Sequence, residues 1–394
     1  MIPLPGRSRE HLVLYEPRTE GHHLAWLRLI TEDLHSAGFR LTLAVDLRPG
    51  TDAMLRDHLG GLVKEVTLMN ACDAPGRSPA GGKIRSVAYC LEQSGAENIF
   101  LCSFDEIASS CLRRAACGFL PPAILRGRMG GIYHRPRFKA ASRWSPDRLL
   151  KVTGLRRLLR GGWLRQLAFL DEFLARDWHA EHPAAPFFFL PDPCLDIYHA
   201  DSADARRQLE VPPDRRVFLF YGTGARRKGL HLAIEAFQQL PPDSPAFLLC
   251  VGQQTPDGQQ AAGLKQLEAQ GRARIINRYV STAEEQLAFA ACDMVLLPYV
   301  GHFGISAVMS QAMAATKPVI ASDEMLLGRL VREHQAGLLF RSGEVQALRQ
   351  AIQNGVAASS GDWSRWRAAA QNYAGRHSRT AFRAALLAAL RPGR

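Results

Sequence analysis

The sequence predicts an α/β protein made of two parallel-sheet halves, and three observations predict it. Short apolar runs alternate with amphipathic stretches in both halves, the pattern of strand–helix–strand units with parallel strands. Several of these runs end in glycine-rich or polar turns, where open parallel sheets bind ligands. The 394 residues, 47% of them hydrophobic, suffice for two domains of roughly 200 residues, each able to bury a core.

In the first half, His11–Tyr15 reads as a strand and 16–23 as a loop. Leu24, Leu27, Ile30 and Leu34 then stripe a helix that Gly38 ends. Residues 41–45, 62–69 and 99–102 read as further strands, and 73–83, rich in Gly and Pro, as a surface loop. The apolar Ala123-Ile124-Leu125 precedes Gly130-Gly131-Ile132-Tyr133-His134. Phe187-Phe188-Phe189-Leu190-Pro191-Asp192-Pro193 closes the half, its prolines marking a linker. The predicted domains are 1–192 and 193–375, with 376–394 as a closing helical segment.

The second half carries the more specific signals. Residues 217–221 form an apolar strand, followed by Gly222-Thr223-Gly224-Ala225-Arg226-Arg227-Lys228-Gly229-Leu230 and a helix with Leu232, Ile234, Ala236 and Phe237 inward. Strand, glycine turn, cations and helix together suit an anionic ligand. Leu230 follows Gly229 where a P-loop needs Lys and then Ser or Thr, so this is not a triphosphate loop. His302-Phe303-Gly304-Ile305-Ser306 reads as a loop opening onto a helix N-terminus, whose bare N–H groups form a second anion site. Lys317-Pro318-Val319-Ile320-Ala321-Ser322 reads as a buried strand.

Four blocks in this order resemble the C-terminal domain of GT-B glycosyltransferases, in particular family 4. They are Gly222 with Lys228-Gly229, then 248–252 ending in Gly252, then Ala291-Cys292-Asp293 with the strand to Pro298, then Gln311-Ala312-Met313-Ala314 with Pro318-Val319-Ile320-Ala321-Ser322. The resemblance implies a GT-B fold, two Rossmann-like domains facing a central cleft, with the closing helix crossing back to the first. It implies a nucleotide-diphosphate sugar as substrate and no separate cofactor. Gly21, Gly222, Arg227, Lys228, Phe303, Gly304, Ile305, Ser306 and Gln311 become donor-binding candidates, Gln311 on the ribose. Retaining transfer is the expected stereochemistry. The chain departs from the family at its paired glutamates. Gln311 replaces the second, and the first falls on Phe303 or Gly301 according to the alignment. With no Asp-x-Asp anywhere, the expected chemistry is metal-independent. Two other readings stand beside it, a nucleotide-sugar epimerase of the same fold and a non-catalytic nucleotide-sugar-binding protein.

In the first half, His23 follows the first strand and His134 follows residues 123–133. Either could bond an acceptor hydroxyl or take its proton, and both are catalytic candidates.

Charge is concentrated in one stretch. Residues 126–166 hold twelve Lys or Arg and the single acid Asp147, almost the whole +12 of the chain. Leu149, Val152, Leu155, Leu158, Leu159 and Trp163 read as an apolar helical face opposite arginines that include Arg156, Arg157 and Arg160. A basic amphipathic helix of this kind suits an anionic membrane surface. It points to a glycan or glycolipid acceptor, lipid-linked or of lipopolysaccharide or exopolysaccharide type. No nucleic-acid motif accompanies the cations. The eight cysteines form no CxxC pair and read as buried free thiols of a reducing compartment. With no apolar run of spanning length, the expected location is cytoplasmic, peripheral on the inner membrane face.

Overall fold

The computed structural model describes residues 10–19, 23–72, 82–136, 138, 145–193, 200–223, 225–254 and 257–391. The chain divides into two compact units, residues 1–190 with 383–394, and residues 191–382.

The first unit holds a seven-stranded parallel sheet: β1 (His11–Tyr15), β2 (Arg40–Val45), β3 (Thr67–Asn70), β4 (Asn98–Leu101), β5 (Met129–Tyr133), β6 (Leu164–Phe169) and β7 (Phe187–Phe189), in the order β3-β2-β1-β4-β5-β6-β7. The second holds six parallel strands: β8 (Arg216–Tyr221), β9 (Ala246–Val251), β10 (Ala273–Ile276), β11 (Met294–Leu297), β12 (Val319–Ser322) and β13 (Gly337–Phe340), in the order β10-β9-β8-β11-β12-β13. The central strands β1, β4 and β5 are buried along their whole length, as are β9, β11 and β12. Parallel strands covered on both faces need such continuous apolar runs. In both sheets the order reverses beside the first strand of the unit, the position at which open α/β sheets take ligands at their carboxyl edge.

One expected strand differs in its bounds, and one strand falls beside an apolar run rather than in it. Within 62–69, Gly60–Lys64 forms a tight 3₁₀ turn and the strand is confined to Thr67–Asn70. Gly60, at φ 56°, breaks the run there. Residues 123–125 are a 3₁₀ turn, and the strand is β5, Gly130 and Gly131 included. A Cβ at Gly131 would stand 2.6 Å from the Leu101 carbonyl oxygen, so glycine is what lets β5 lie against β4.

The C-terminal segment that clusters with the first unit is fastened there. Arg391 Nη2 donates to the Ala37 carbonyl at 2.8 Å, and its guanidinium lies 4.3 Å from the Phe39 ring centre. No helix among the described residues is long and apolar enough to cross a membrane. Cys90, Cys102, Cys111, Cys250 and Cys292 are buried free thiols, Cys72 is half-buried, Cys117 is exposed, and Cys194 lies outside the described residues.

Candidate functional site

In the second unit the carboxyl edge of the sheet is shaped by close backbone approaches. β8 is followed by Gly222, whose φ is 111°. A Cβ at Gly252, after β9, would meet the Gly222 carbonyl oxygen at 2.6 Å. A Cβ at Gly229 would stand 1.8 Å from the Pro298 carbonyl oxygen, after β11. The Arg226–Lys228 turn is thereby pressed between two strand ends.

That turn sets Lys228 over Gly222. A Cβ on residue 222 would lie 2.5 Å from the Lys228 ammonium nitrogen. The ammonium lies 5.9 Å from the centre of the buried Tyr299 ring, and no carboxylate pairs with it among the described residues. Desolvation, then the neighbouring Arg227 charge, lowers the Lys228 pKa. A half-desolvated cation with no anion of its own is poised to receive one. Arg227 is exposed, its Nη1 3.2 Å from His302 Nδ1.

Tyr299 and His302 join this turn to the helix Ala307–Ala314. The His302 ring packs edge-on against Tyr299, with centroids 5.0 Å apart. Ser306 is the N-cap: its Oγ accepts from the Met309 amide at 3.3 Å and donates to Tyr299 Oη at 3.2 Å. Gly304 is buried, with φ 103°, and Phe303 and Ile305 are half-buried on the same loop. The Gly301 amide donates to Glu324 Oε2 at 2.8 Å.

Farther along this helix, Gln311 Nε2 donates to Glu285 Oε1 at 2.7 Å. The other oxygen of Glu285 accepts from the Tyr221 hydroxyl. Tyr221 is the last residue of β8, so this chain leads back to Gly222. Ser310 Oγ donates to Asp192 Oδ2 at 2.9 Å, while burial pushes the Asp192 carboxyl up to about 6. The structure thus gathers Gly222, Arg227, Lys228, Phe303, Gly304, Ile305, Ser306 and Gln311 at one edge. It adds Tyr221, Glu285, Tyr299, His302 and Glu324, which belong to none of the four sequence blocks.

In the first unit, His23 Nδ1 lies 3.1 Å from the buried Glu16 Oε2. The His134 amide donates to Asp105 Oδ2 at 2.8 Å, and its ring Nε2 lies 2.8 Å from the Cys102 carbonyl oxygen. A carbonyl only accepts, so Nε2 carries a proton directed into the protein. Burial holds the His134 pKa down against the opposing pull of Asp105, and the charges of Glu16 and His23 also reach it. Both histidines therefore sit at the carboxyl edge of the first sheet, with His134 tied inward. Gly21 lies outside the described residues.

The basic segment is organised differently from its sequence reading. The helix Pro146–Arg160 buries Lys151, Gly154, Leu155 and Leu158. It presses against the helix Asp105–Ala116 so closely that a Cβ at Gly154 would stand 1.8 Å from the Leu112 carbonyl oxygen. Trp163 lies beyond the helix and is 7% exposed, packed in the core. Of the expected lipid-facing stripe, Leu155, Leu158 and Trp163 face the core, Val152 and Leu159 are half-buried against it, and Leu149 is exposed. Arg156, Arg157 and Arg160 are exposed. Arg157 Nη1 also donates to the Ala115 and Ala116 carbonyls, at 3.1 and 3.0 Å, closing the end of the neighbouring helix.

Comparisons with known proteins agree with this architecture. Residues 201–372 match the family described as glycosyl transferases group 1. Over 187 residues the chain is 29% identical to the phosphatidyl-myo-inositol mannosyltransferase of Mycobacterium leprae, covering 45% of this chain and 46% of that one. Over 157 residues it is 31% identical to the D-inositol 3-phosphate glycosyltransferase of Corynebacterium urealyticum, covering 38% and 37%. The chain thus spans less than half the length of these curated relatives. The crystal structure of Anabaena HepE in complex with UDP superposes with a TM-score of 0.67 at 17% identity, over 97% of this chain and 99% of that one. The chain has the GT-B fold, and its residues 201–372 match the glycosyl transferases group 1 family.

Proposed function

We propose that this protein is a glycosyltransferase that takes a nucleotide-diphosphate sugar as donor and needs no metal ion. The observation that carries the reading is Lys228, a half-desolvated ammonium over Gly222 with no carboxylate paired to it among the described residues. When the bond from sugar to diphosphate breaks, negative charge builds on the leaving phosphate. Lys228 and Arg227 neutralise that charge in place of a metal, and the helix start at Gly304–Ser306 adds backbone N–H groups. Gln311 faces the ribose. HepE was crystallised with UDP, which supports a nucleoside diphosphate as the ligand class.

The first unit takes the acceptor. His23, steadied by Glu16 at 3.1 Å, bonds an acceptor hydroxyl or takes its proton. His134 orders that edge through Asp105 and the Cys102 carbonyl. The acceptor is a glycolipid or glycan reached at an anionic membrane face, with Arg156 and Arg160 supplying exposed charge. One relative is named for a phosphatidyl-inositol acceptor and another for an inositol phosphate, and both are anionic, as a basic surface requires.

The test is a thermal-shift screen of the full chain against UDP-, GDP- and ADP-sugars, followed by turnover with the donor that binds. A donor that raises the melting temperature and is consumed only with acceptor supports the reading. Binding without turnover under any acceptor would make the chain a nucleotide-sugar-binding protein. Absence of binding would remove the reading altogether.

A further inference from the structure

The edge of the second sheet has two poles of opposite character. One is cationic, formed by Lys228 and Arg227. The other is a carboxylate, Glu285, in the first turn of the helix Thr282–Ala291. Glu285 is half-buried and held from two sides, by Gln311 Nε2 at 2.7 Å and by the Tyr221 hydroxyl. Tyr221 immediately precedes Gly222, the residue over which the Lys228 ammonium lies. The residue that braces the carboxylate, Tyr221, therefore adjoins the residue beneath the Lys228 ammonium.

A carboxylate accepts and never donates. Each of its oxygens has room for two hydrogen bonds, and each Glu285 oxygen has one protein donor. Such a group repels phosphate and attracts neutral hydroxyls. Two adjacent hydroxyls, both donors, match the spacing of its two oxygens. A ligand with an anionic end and a diol end fits the two poles in one orientation only. Beside them Tyr279 is 86% exposed. It lies in the connection from β10 to the helix Thr282–Ala291 that carries Glu285. A flat ring this open is a stacking surface for a planar base.

We infer that Glu285, braced by Tyr221 and Gln311, binds the ribose hydroxyls of the donor nucleotide, with Tyr279 beneath the base. This rests on the donor reading above. It assigns to Glu285 the carboxylate role that residue 311, as a glutamine, cannot fill alone.

The test is calorimetric binding of UDP, ADP and GDP, their 2′-deoxy counterparts and inorganic pyrophosphate to the full chain. For the base that binds, the wild type is expected to favour the ribonucleotide over the 2′-deoxy form by about tenfold, the loss of one hydrogen bond to a charged group. Glu285→Gln should bring that ratio to within about twofold and leave pyrophosphate affinity unchanged. Tyr221→Phe, which keeps the ring and removes the bracing hydroxyl, should lower the ratio to an intermediate value and carries the test if Glu285→Gln fails to fold. A variant that keeps the full ratio, or that weakens pyrophosphate equally, overturns the inference and leaves the donor reading standing. A wild type that binds pyrophosphate but no nucleoside diphosphate overturns both.

Discussion

Lys228→Met separates a binding role from a structural one. Methionine keeps the length and apolar bulk of the side chain and deletes its charge. The folded protein binds the Lys228 proton less tightly than the unfolded chain does, because desolvation and Arg227 lower its pKa. At neutral pH the charge therefore costs stability, and the cost is relieved only as pH rises through the folded pKa towards the unfolded value. The unliganded variant should melt no lower than the wild type. A charge-assisted hydrogen bond to phosphate is worth about 1.5–3 kcal/mol, so the variant should bind nucleoside diphosphate about 10- to 150-fold more weakly.

Linkage converts that loss into a melting experiment. At ligand concentrations near 100 times the wild-type Kd, binding adds about 2.7 kcal/mol. For a unit of this size that raises the melting temperature by about 5–10 °C. A thirtyfold loss of affinity leaves about 0.9 kcal/mol and a shift of about 2–3 °C under the same conditions. Differential scanning fluorimetry with and without diphosphate reads both numbers. A full ligand shift in the variant would refute the role of Lys228. So would a drop in the unliganded melting temperature as large as the lost shift, which would make the lysine structural.

The other predictions use the same assays. Gly222→Ala should lower stability by about 1–3 kcal/mol through its backbone conformation, and should also weaken diphosphate binding, because the new Cβ would stand 2.5 Å from the Lys228 ammonium. Asp192 holds its proton up to about pH 6 in the folded state, so its contribution to stability should be greatest below about pH 4 and be lost as pH rises to about 6; Asp192→Asn should flatten that part of a denaturation profile. Arg156→Glu with Arg160→Glu, leaving Arg157 to close its helix end, should reduce binding to anionic vesicles and leave the melting temperature in place, whereas equal binding of the wild type to neutral vesicles would defeat the membrane reading. Gln311→Glu should make stability fall between about pH 4 and pH 7, because position 311 lies 2.7 Å from Glu285 and two carboxylates at that distance cannot both ionise.

Much of the fold was legible because its signals are local. A buried parallel strand is a short apolar run, and β8, β9, β11 and β12 each show one. The Gly222 to Gly229 turn was legible because close packing demands glycine, and the Pro298 carbonyl leaves no space for a Cβ at 229. The same demand hid β5. Its paired glycines mark a turn in one dimension, and only the adjacent β4 backbone shows why a strand needs them. Glycine misled again at Gly154, which reads as a weak point in a helix and is where two helices meet. The apolar face of the basic helix was visible in its spacing, but amphipathicity does not say what covers the face. The helix Asp105–Ala116 packs on its Gly154, Leu155 and Leu158 part, Leu149 stays exposed, and Trp163 turns into the core beyond the helix end.

The site was legible in its cations and not in its carboxylates, for a physical reason. Lys228 and Ser306 sit in a turn and at a helix cap, where a few neighbouring residues dictate position. Glu285 is carried by the first turn of a different helix, 26 residues before Gln311, and acids in first turns are common simply because they suit the helix dipole. Its neighbour Glu284 fills that local role, closing a capping box with Ser281 and pairing with Arg278. Glu285 does neither, and turns instead to Tyr221 and Gln311. A sequence motif records a carboxylate at a position, whereas chemistry needs one at a point in space. On the proposed reading, the neutral residue at 311 marks a change in which helix delivers the charge: its amide donates to Glu285, and a glutamate at 311 would set one carboxylate against another.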